Sequence, residues 1–600
     1  MLNKSIRLLE KKDQKNVLLI VLVQLLLAFL DLAGVIAIGL VGALSISGIQ
    51  SKKPGDRIEK VLSFFDVQDL TIQSQVAVVG GAAAGILILR TLLSLYFNRR
   101  ILFFLSKKAA DLSSKLIRNL LKKDLLFINA RNSQETLYAV TTGVNLIMLN
   151  VVGSLVGVIT DLFLLFLLTA GLFAIDTVIA LCTLGIFSSV AVTLYFAVQQ
   201  RANRLGQENA DLNILSNQKI LEVINSYREL LVRNRRKYYS NDISQSRYAI
   251  ARNSAELAFI PSVSKYVIEI TMVLGALLIS STQFLLKDAV HAISTLSVFL
   301  AAASRLAPAV LRIQSGAIAI RSSTGAVQHT FELIERIGNQ FDDVDEDSPL
   351  DTQHIGFNQV VDIQEVNFRY PGAELFTISN INLQITSGEF VAIVGPSGAG
   401  KTTLVDLMLG VINPESGKIN ISGENPTDAI RKWPGAIGYI PQNIEIIDGS
   451  IKSNIALGFP ESDYLDELFE SAITISQMRD FILSLPRGLE TEVGEKGSRI
   501  SGGQRQRLGI ARSLYTKPRI LVMDEATSLL DGKTESNLTQ AIQMLRGDVT
   551  LISIAHRLST IISADKVVYM NNGRIEAVGT FQEVKSQIPD FEEQAHLMGL

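Results

Sequence analysis

Cysteine is almost absent from this sequence, since Cys182 is the one cysteine among 600 residues. A single thiol excludes a disulfide within the chain, so cysteine content says nothing about the redox compartment. Cys182 lies in an apolar run, and we expect it to behave as a small hydrophobic side chain. An excess of one charge sign is also absent, because the formal net charge is -2. The overall charge therefore favours no nucleic acid as a partner.

A cleavable targeting segment is absent as well. The sequence opens with polar and basic residues, and the apolar stretch that follows, 17–46, far exceeds the roughly 7–15 apolar residues of a signal peptide. No A-x-A cleavage site ends this stretch, and no presequence rich in Arg and Ser precedes it. We therefore interpret it as a retained membrane span, and we expect an integral membrane protein, most simply of a bacterial inner membrane.

Long apolar runs are what the sequence has in excess. Hydrophobic residues make up 48% of the chain, mean hydropathy is +0.30, and the long runs end near Arg321. Crossing a bilayer takes about 20 apolar residues, which predicts spans near 17–46, 72–97, 147–172, 174–197, 257–282 and 289–312. A single core rarely grows beyond about 250–300 residues. We therefore expect a membrane domain at 1–321, a linker at 322–358 and a second domain at 359–600.

Loop charge predicts the orientation of the spans. Segments 98–146 and 198–256 are rich in Lys and Arg, which favours the cytoplasm for both segments and for both chain termini. The 48–71 loop carries both signs and is ambiguous, and we interpret the acidic stretch 342–351 as solvated linker. The basic segments lack clusters of Pro and Gly, so they also predict helical extensions of the spans into the cytoplasm, with tips near 127–135 and 221–233.

A phosphate-binding loop opens the second domain. Apolar runs predict strands at Val361–Phe368 and Phe390–Val394, and the second continues into Gly-Pro-Ser-Gly-Ala-Gly-Lys-Thr at 395–402 before an apolar run at 404–409. Strand, loop and helix are the context that the G-x-x-x-x-G-K-[ST] motif requires. Loop amides and the helix N-terminus would cradle a nucleotide's phosphates. The residues predicted to bind nucleotide here are Gly395, Ser397, Gly398, Gly400, Lys401, Thr402 and Thr403.

A second apolar run predicts the metal-supporting strand. It covers 520–523 and leads into Asp524 and Glu525. Asp524 and Thr402 are expected to hold Mg²⁺, Lys401 to reach the β- and γ-phosphates, and Glu525 to polarise the attacking water. Phosphoryl transfer needs mainly positioning and charge neutralisation, so these residues suffice chemically on the nucleotide side.

The motifs that accompany these two resemble those of ABC proteins, in that family's order. The run Ile-Ser-Gly-Gly-Gln-Arg-Gln-Arg at 500–507 resembles the ABC signature, with Ile500 where Leu is usual. Tyr370 resembles the residue of the aromatic loop that stacks on adenine, and Gln442 resembles the glutamine of the Q-loop. Segment 491–497 resembles the stretch that precedes the signature in exporters. Asp531 resembles the aspartate of the D-loop, and His556 resembles the switch histidine. The resemblance covers the whole chain. It implies a membrane domain of six long transmembrane helices followed by an α/β P-loop ABC ATPase domain with a helical subdomain.

What the resemblance implies for mechanism is an ATPase coupled to transport, with ATP and Mg²⁺ as cofactors. In ABC proteins each ATP lies between the P-loop of one domain and the signature of another. This chain has one P-loop and one signature, which implies a half-transporter that pairs with a second copy or a related chain. Catalytic roles fall to Lys401, Gln442, Glu525 and His556, with Gln442 also at the metal; the partner-facing residues are Ser501, Gly502, Gly503, Gln504 and Asp531. The tips near 127–135 and 221–233 would be coupling helices. A packing role for Tyr370 and a surface role for Gln442 are the simpler alternatives.

Ionisable residues inside the predicted spans are the candidates for substrate recognition, because such residues are costly in a membrane. Arg305 and Arg312 are seven residues apart, so they share one helix face about 10 Å apart. With Arg90 and Lys265 they would form a basic cavity suited to an anionic headgroup such as a diphosphate. The alternative is neutralisation by the acidic residues in the spans, which are Asp31, Asp161 and Glu269, or exposure of Arg312 at the interface.

This set of charges resembles the bacterial lipid-linked oligosaccharide flippases, which implies a polyprenyl-diphosphate-linked oligosaccharide or a similar anionic lipid as substrate and membrane lipids as partners. Three alternatives stay open at this point. They are a lipid or multidrug exporter of the same architecture, a peptide exporter, and a soluble mechanochemical ABC ATPase. The predicted spans argue against the last.

Overall fold

The structure is a computed structural model that describes residues 2–50, 70–175, 177–286, 289–338, 350–524, 532–555 and 558–597. Inside these ranges the side chains at 35, 38–40, 42–50, 72, 172, 174–175, 177–179, 182–183, 279, 282–284, 286, 289–299, 301–302, 305, 532–537, 558–559 and 594–597 are not described. Glu525, Asp531 and His556 therefore lie outside the described residues, as do most of the 48–71 loop and of the acidic stretch 342–351. So do the side chains of Arg305 and Cys182.

Contacts divide the chain into two compact units. The helical unit comprises Met1–Lys123 and Phe127–Asp342, and the sheet unit comprises Asp124–Leu126 and Asp343–Leu600. The short segment Asp124–Leu126 belongs to the second unit because the Leu125 amide donates to the Val411 carbonyl at 3.1 Å, and Leu125 and Leu126 pack against a core cluster there.

Helices make up the chain as far as residue 337. In order they are α1 (Leu2–Arg7), α2 (Lys11–Gln50), α3 (Ile72–Leu121), α4 (Leu125–Asn129), α5 (Ser133–Tyr138), α6 (Gly153–Ile175), α7 (Thr177–Asn225), α8 (Tyr227–Val232), α9 (Arg236–Leu286), α10 (Ala289–Ala326) and α11 (Gln328–Ile337). Two π-helical segments, Ala139–Gly143 and Leu146–Val152, lie between α5 and α6. The predicted coupling tips thus fall on α4 and α5 and on α8.

Three helices are far longer than a membrane is thick. α3, α7 and α9 contain 50, 49 and 51 residues, and at 1.5 Å per residue a helix of that length measures about 75 Å. The hydrocarbon core of a bilayer is about 30 Å thick. The sequence prediction of long helical extensions beyond the spans is therefore confirmed.

Four helices in the described part of the chain are long and apolar enough to cross a membrane. Their spanning segments are Lys11–Gly34, Gln73–Leu121, Leu146–Gly171 and Arg236–Leu278. They match the predicted spans at 17–46, 72–97, 147–172 and 257–282. The other two predicted spans, 174–197 and 289–312, fall on α7 and α10, where many side chains lie outside the described part. Six crossings therefore stay a prediction.

The predicted linker at 322–358 differs from the structure in its first half. α10 continues to Ala326, and α11 follows at once. α11 buries Phe331, Leu333 and Ile334 in the same cluster as residues of α3. Residues 322–337 are thus part of the helical unit, because the apolar side of α11 has a core to pack against.

The sheet unit contains two sheets. The strands are β1 (Val361–Phe368), β2 (Ile378–Ile385), β3 (Phe390–Val394), β4 (Ser416–Ile421), β5 (Ile437–Ile440), β6 (Ile520–Asp524), β7 (Thr550–Ile554), β8 (Lys566–Asn571) and β9 (Arg574–Gly579). β2-β1-β4 form an antiparallel sheet, and the larger sheet has the order β5-β6-β7-β3-β8-β9, parallel except for β9. β1 and β3 begin and end where the sequence predicts.

Helices surround this larger sheet. They are α12 (Lys401–Met408), α13 (Pro426–Lys432), α14 (Ile451–Ile455), α15 (Asp466–Ile475), α16 (Arg479–Ser484), α17 (Gly502–Leu514), α18 (Gly532–Gln543), α19 (Leu558–Ile562), α20 (Phe581–Gln587) and α21 (Pro589–Leu597). β3, β6 and β7 are buried along their whole length, as expected for central parallel strands covered on both faces. α15, α16 and α17 supply the predicted helical subdomain.

The register of the sheet aligns the strand ends that carry the predicted site. Ile554 at the end of β7 pairs with Ile393 of β3 on one side and with Asp524 of β6 on the other. Neighbouring strands are about 4.8 Å apart, so the loop after β3 and the end of β6 lie at one edge of the sheet. In open α/β sheets this carboxyl edge is where ligands bind.

Candidate functional site

The loop after β3 has a backbone that only glycine tolerates at two positions. Gly395 has φ +147°, and a Cβ there would lie 2.0 Å from the Met570 carbonyl oxygen. Gly400 has φ +96°, and its Cβ would lie 3.0 Å from the Thr377 carbonyl oxygen. Both values lie in the left-handed region that side chains disfavour. The two glycines therefore allow the loop to curl in close contact with the backbone at Met570 and Thr377.

Lys401 begins α12 and turns back into this curl. The side chain is buried, with 7% of the residue exposed, and its Nζ donates to the carbonyl oxygens of Gly395 at 2.9 Å and Pro396 at 3.0 Å. The N-cap residue Gly400 offers no side-chain hydrogen bond to the first helical amides. An ammonium and helix N-terminal amides at one point form an anion site. Ser397 and Gly398 are exposed beside it.

Thr402 and Asp524 meet across the carboxyl edge of the sheet. The Thr402 hydroxyl donates to Asp524 Oδ2 at 3.4 Å, and Asp524 is 4% exposed at the end of β6. Hydroxyl and carboxylate oxygens are the ligand types that Mg²⁺ accepts, usually together with phosphate oxygens and water. The donor set therefore fits the metal that the sequence predicts for these two residues.

A second carboxylate below the loop escaped the sequence analysis. Burial raises the pKa of Asp406, and the negative charge of Asp524 raises it further. Burial, followed by Asp524 and Asp406, raises the pKa of Tyr439 to about 12. The signal in the sequence was spacing, because Asp406 is four residues after Thr402 and so shares its helix face. Negative charge concentrated here favours a cation at the neighbouring Thr402 and Asp524.

Tyr370 lies beside the start of α12. Its hydroxyl is 3.3 Å from Thr403 Oγ1, and either oxygen can donate. The ring packs edge-on against Phe368, with centroids 5.1 Å apart, and 39% of the residue is exposed. One part of this residue thus packs in the fold, while the rest offers an aromatic surface next to the phosphate loop, as stacking on an adenine would need.

The signature-like run forms the start of α17. Ser501 caps the helix: its hydroxyl accepts from the Gln504 amide at 3.2 Å, and its own amide donates to Gln504 Oε1 at 2.8 Å. Gly502 and Gly503 occupy the first turn, so no Cβ covers the helix N-terminus. The hydrogen bonds of Ser501 and Gln504 thus fix the start of this helix rather than reaching the loop at 395–402.

Gln442 and the start of α17 line one cavity. This cavity measures about 250 Å³ and also includes Lys496, Arg505 and Gln506. The structure therefore brings Gln442 to Gly502, and an association of Gln442 with the metal-supporting pair stays a prediction.

Arg512 is a further residue that sequence reasoning missed. From the far end of α17 its guanidinium donates to the Asn454 carbonyl and side-chain oxygens at 2.8 and 2.9 Å, and to the Glu445 carbonyl at 2.9 Å. Asn454 is fully buried. These bonds fix the signature helix against the segment that follows Gln442. No motif flags Arg512, because its partners are 58 and 67 residues away.

Three of the four residues of the predicted basic cavity have an acidic partner. Arg312 binds Asp161 with two nitrogens at 2.6 to 3.0 Å, Arg90 lies 2.6 Å from Asp31, and Lys265 lies 3.9 Å from Glu269. Asp31 and Asp161 are 1% and 8% exposed. Among the described side chains of the set, each cation therefore has a carboxylate, as the alternative interpretation expects. The argument from charge for a diphosphate substrate loses its basis at these three residues.

Comparison with known proteins supports the assignment of the sheet unit. Residues 378–528 match the family model of the ABC transporters. This stretch contains the phosphate loop, the signature-like run and Asp524. It lies within residues 359–600, which the sequence analysis predicts to be an ABC ATPase domain.

Two proteins from Staphylococcus aureus, strains RF122 and NCTC 8325, are 41% identical to this chain over 241 residues. Both are provisionally named multidrug export ATP-binding/permease proteins. The match covers 40% of this chain and 41% of each relative, so it spans less than half of their length.

A solved structure of a bacterial Atm1-family ABC exporter with ATP bound is similar over almost the entire chain. The TM-score is 0.77, the identity is 20%, and the match covers 98% of this chain and 99% of that one. The chain therefore has the ABC exporter fold, a helical membrane domain followed by an ABC ATPase domain.

Asp406 gives a pH-dependent prediction for the sheet unit. Its pKa is raised in the fold, so its ionised form destabilises the folded state above the folded pKa, and this cost vanishes as pH falls below the unfolded value of about 3.9. Asp406→Asn should therefore raise the thermal midpoint at pH 7, and the gain should shrink as pH falls towards 4. The exposed Asp548→Asn is the control, with no such trend. An Asp406→Asn gain independent of pH would contradict the electrostatic interpretation.

The Arg312–Asp161 pair gives a prediction for the helical unit. Asp161→Asn leaves Arg312, whose side chain is about half exposed, without its carboxylate and should cost about 0.5–1 kcal/mol, the upper range for exposed ion pairs. Arg312→Gln alone should also destabilise, while the double variant should lose less than the sum. Thermal unfolding of the four detergent-purified proteins measures this. Strictly additive losses would show that the two side chains do not interact.

Proposed function

We propose that this protein is an ATP-driven ABC exporter. The observation that carries the proposal is the phosphate loop with buried Lys401 beside the Thr402–Asp524 pair, inside a chain that has the ABC exporter fold over 98% of its length. The candidate spanning helices that precede the sheet unit argue against a soluble ABC ATPase.

The chemistry that we propose uses residues at or just after the ends of four strands and residues of one helix. Lys401 and the α12 amides bind and orient the β- and γ-phosphates of ATP, and Tyr370 stacks on the base. Mg²⁺, held by Thr402 and Asp524, would neutralise phosphate charge. Glu525 orients the attacking water, and His556, two residues after the end of β7, acts on the γ-phosphate side. Gln442 would join Thr402 and Asp524 at the metal.

We further propose that two chains complete each site. The start of α17, with Ser501 and the two glycines, would bind the γ-phosphate held by Lys401 of the other chain, and Asp531 would lie at the same junction. ATP then stabilises the closed pair of sheet units, and hydrolysis removes that stabilisation. The closing and opening of the sheet units would be transmitted to the membrane helices through segments 127–135 and 221–233. The membrane helices would then open alternately to the two sides of the membrane.

For the substrate, the observations favour a lipophilic molecule over an anionic one. The ion pairs of Arg90, Lys265 and Arg312 leave little net positive charge for a diphosphate, and the Staphylococcus aureus relatives carry a multidrug export name. A polyprenyl-diphosphate-linked oligosaccharide is the competing hypothesis, and Arg305 is the residue on which it now depends. A peptide substrate has no observation in its favour.

Glu525→Gln tests the ATPase part of the proposal. The amide keeps the shape but cannot polarise water as a carboxylate does, so ATP binding should persist while turnover falls at least about 100-fold. Equilibrium binding of a fluorescent ATP analogue and phosphate release from the full chain measure the two effects. Lys401→Ala is the contrasting variant and should lose binding itself. Near-normal hydrolysis by Glu525→Gln would refute the assignment of the site.

The same variant serves as the control for transport. Proteoliposomes should accumulate a lipophilic fluorescent dye with ATP in the wild-type protein and not in Glu525→Gln. A labelled polyprenyl-diphosphate oligosaccharide, tested in parallel, should not move. Movement of that lipid, lost in Arg305→Ala, would restore the anionic hypothesis. Movement of neither substrate by a preparation that hydrolyses ATP would reject both substrate classes.

A further inference from the structure

A cavity of about 220 Å³ lies in the helical unit, lined by the end of α3, by α4 and α5, and by α11. The apolar residues of its lining include Leu120, Phe127, Ile128 and Leu333. Two arginines complete the lining: Arg131, which precedes α5, and Arg336 in the last turn of α11. No Asp or Glu is among the lining residues in the described part of the chain. The cavity therefore combines an apolar wall with two guanidinium groups.

The guanidinium group of Arg131 is buried but only partly used. The side chain is 7% exposed. Its Nε donates to Glu135 at 3.1 Å, and its Nη2 donates to the His329 carbonyl oxygen at 2.8 Å. Nη1 has no hydrogen-bond partner among the described residues. Native proteins rarely leave a buried donor of a charged group unpaired. The open Nη1 at a cavity therefore indicates that an acceptor from outside these residues binds there.

Arg336 brings a second positive charge to the same cavity. It is exposed, and within the described ranges it has no hydrogen bond or ion pair. The neighbouring Glu335 is already engaged, because it lies 2.5 Å from Lys4 Nζ. Of the two positive charges at the cavity, Glu135 offsets that of Arg131, while that of Arg336 has no carboxylate among the described residues. An anionic acceptor balances this charge, whereas a water molecule does not.

The distance from the membrane selects a ligand that is dissolved in water. The predicted span of α3 ends at residue 97, and Leu120 follows 23 residues later, which is about 35 Å along a helix. Lipid headgroups extend only about 5–8 Å beyond the hydrocarbon core. Lipid phosphates therefore do not reach the cavity, and the ligand comes from the compartment that the sequence predicts to be the cytoplasm.

We propose that this cavity binds a small organic phosphate, whose oxygens accept from Arg131 Nη1 and from Arg336 while its apolar body contacts Phe127 and Leu333. Guanidinium groups match phosphate geometry, and the oxygens of a phosphate group can accept from two arginines at once. Ser133 adds a hydroxyl to the lining. A cavity of about 150 Å³ holds one benzene molecule, so 220 Å³ suits a molecule of the size of phenyl phosphate.

This inference goes beyond the proposed function, because the ligand is neither the nucleotide nor the transported substrate and its binding needs no ATP. The test uses the purified full chain in phosphatidylcholine nanodiscs without nucleotide. The probe is 4-fluorophenyl phosphate, and broadening of its ¹⁹F signal measures binding. We expect saturable binding, and binding at least tenfold weaker for 4-fluorophenol, which has the ring without the phosphate. 4-Fluorobenzoate should also bind more weakly, and tighter binding of this carboxylate would overturn the assignment to a phosphate.

Arg336→Gln is the decisive variant, because an exposed side chain can be changed without loss of the fold. It removes charge-assisted hydrogen bonds to the phosphate, so binding of 4-fluorophenyl phosphate should weaken about tenfold. Arg131→Lys keeps the charge but loses the planar fork, and it should weaken binding by a similar factor. Arg247→Gln, at an exposed position of α9 outside the cavity, is the matched control and should bind like the wild-type protein. Equal binding by Arg336→Gln and wild type would overturn the proposal.

Lys401→Ala excludes the phosphate loop as the source of the signal. This variant should bind 4-fluorophenyl phosphate like the wild-type protein, and loss of binding would place the probe at the ATP site and refute the inference. Hydrolysis of ATP by the wild-type protein and by Arg336→Gln, measured on the same samples, separates a failure of this site from a failure of the ATPase assignment.

Three further outcomes would also refute the inference. Absence of saturable binding by the wild-type protein at millimolar probe would mean that water satisfies Arg131 Nη1. Displacement of the probe by phosphatidic acid added to the nanodiscs would assign the site to a lipid headgroup. Binding that appears only when the carboxylates of 342–347 are changed to amides would show that this acidic stretch of the chain is the partner of the two arginines.

Discussion

The buried ammonium of Lys401 is the group on which the rest of the sheet unit depends. It is bonded to the Gly395 and Pro396 carbonyl oxygens of its own loop, so the loop is already curled around a positive charge. This curled conformation depends on three features. β3 ends at the edge of the sheet, Gly395 lies close to the Met570 carbonyl, and α12 begins directly after the loop. Each element is fixed by its neighbours: β3 by β7 and β8, and α12 by the apolar cluster that contains Leu404 and Val405. The fold thus fixes the position of the proposed phosphate-binding loop.

Negative charge is concentrated at the same edge of the sheet, at the end of β6, which β7 separates from β3. Burial and then the negative charge of Asp524 raise the pKa of Asp406, an arrangement that a folded protein tolerates where a cation binds. The positive loop and the negative strand end therefore suit the two parts of a metal nucleotide. In the helical unit, by contrast, opposite charges are paired directly. Asp31, Asp161 and Glu269 each lie beside a cationic side chain.

Whether a feature could be predicted from the sequence depends on how far apart in the sequence its residues lie. The phosphate loop, the strand before it and the helix after it lie within 20 residues, so pattern alone gave β3 its correct bounds and Lys401 its place. The helical extensions beyond the spans were predictable for the same reason, from the basic segments 98–146 and 198–256, which lack clusters of Pro and Gly. The pairing of Arg312 with Asp161 joins residues 151 apart, and Arg512 reaches 58 and 67 residues back. Pairings of this kind depend on the packing of whole helices. Three members of the basic set that suggested a diphosphate, Arg90, Lys265 and Arg312, are therefore paired with carboxylates. The first half of the predicted linker is helical because its apolar face packs against the core of the helical unit.

The central claim is that each ATP site is completed by a second chain, and complementation between two defective chains tests it most directly. A chain with Lys401→Ala is co-expressed with a differently tagged chain carrying Ser501→Arg, and the mixed pair is isolated by both tags. Each defect alone damages both sites of a homodimer, whereas the mixed dimer retains one site with an intact loop and an intact signature. The account predicts ATP turnover by the mixed pair well above that of either homodimeric variant. Turnover no higher than that of the two variants alone, from a mixed dimer that binds ATP, would contradict a site shared between chains.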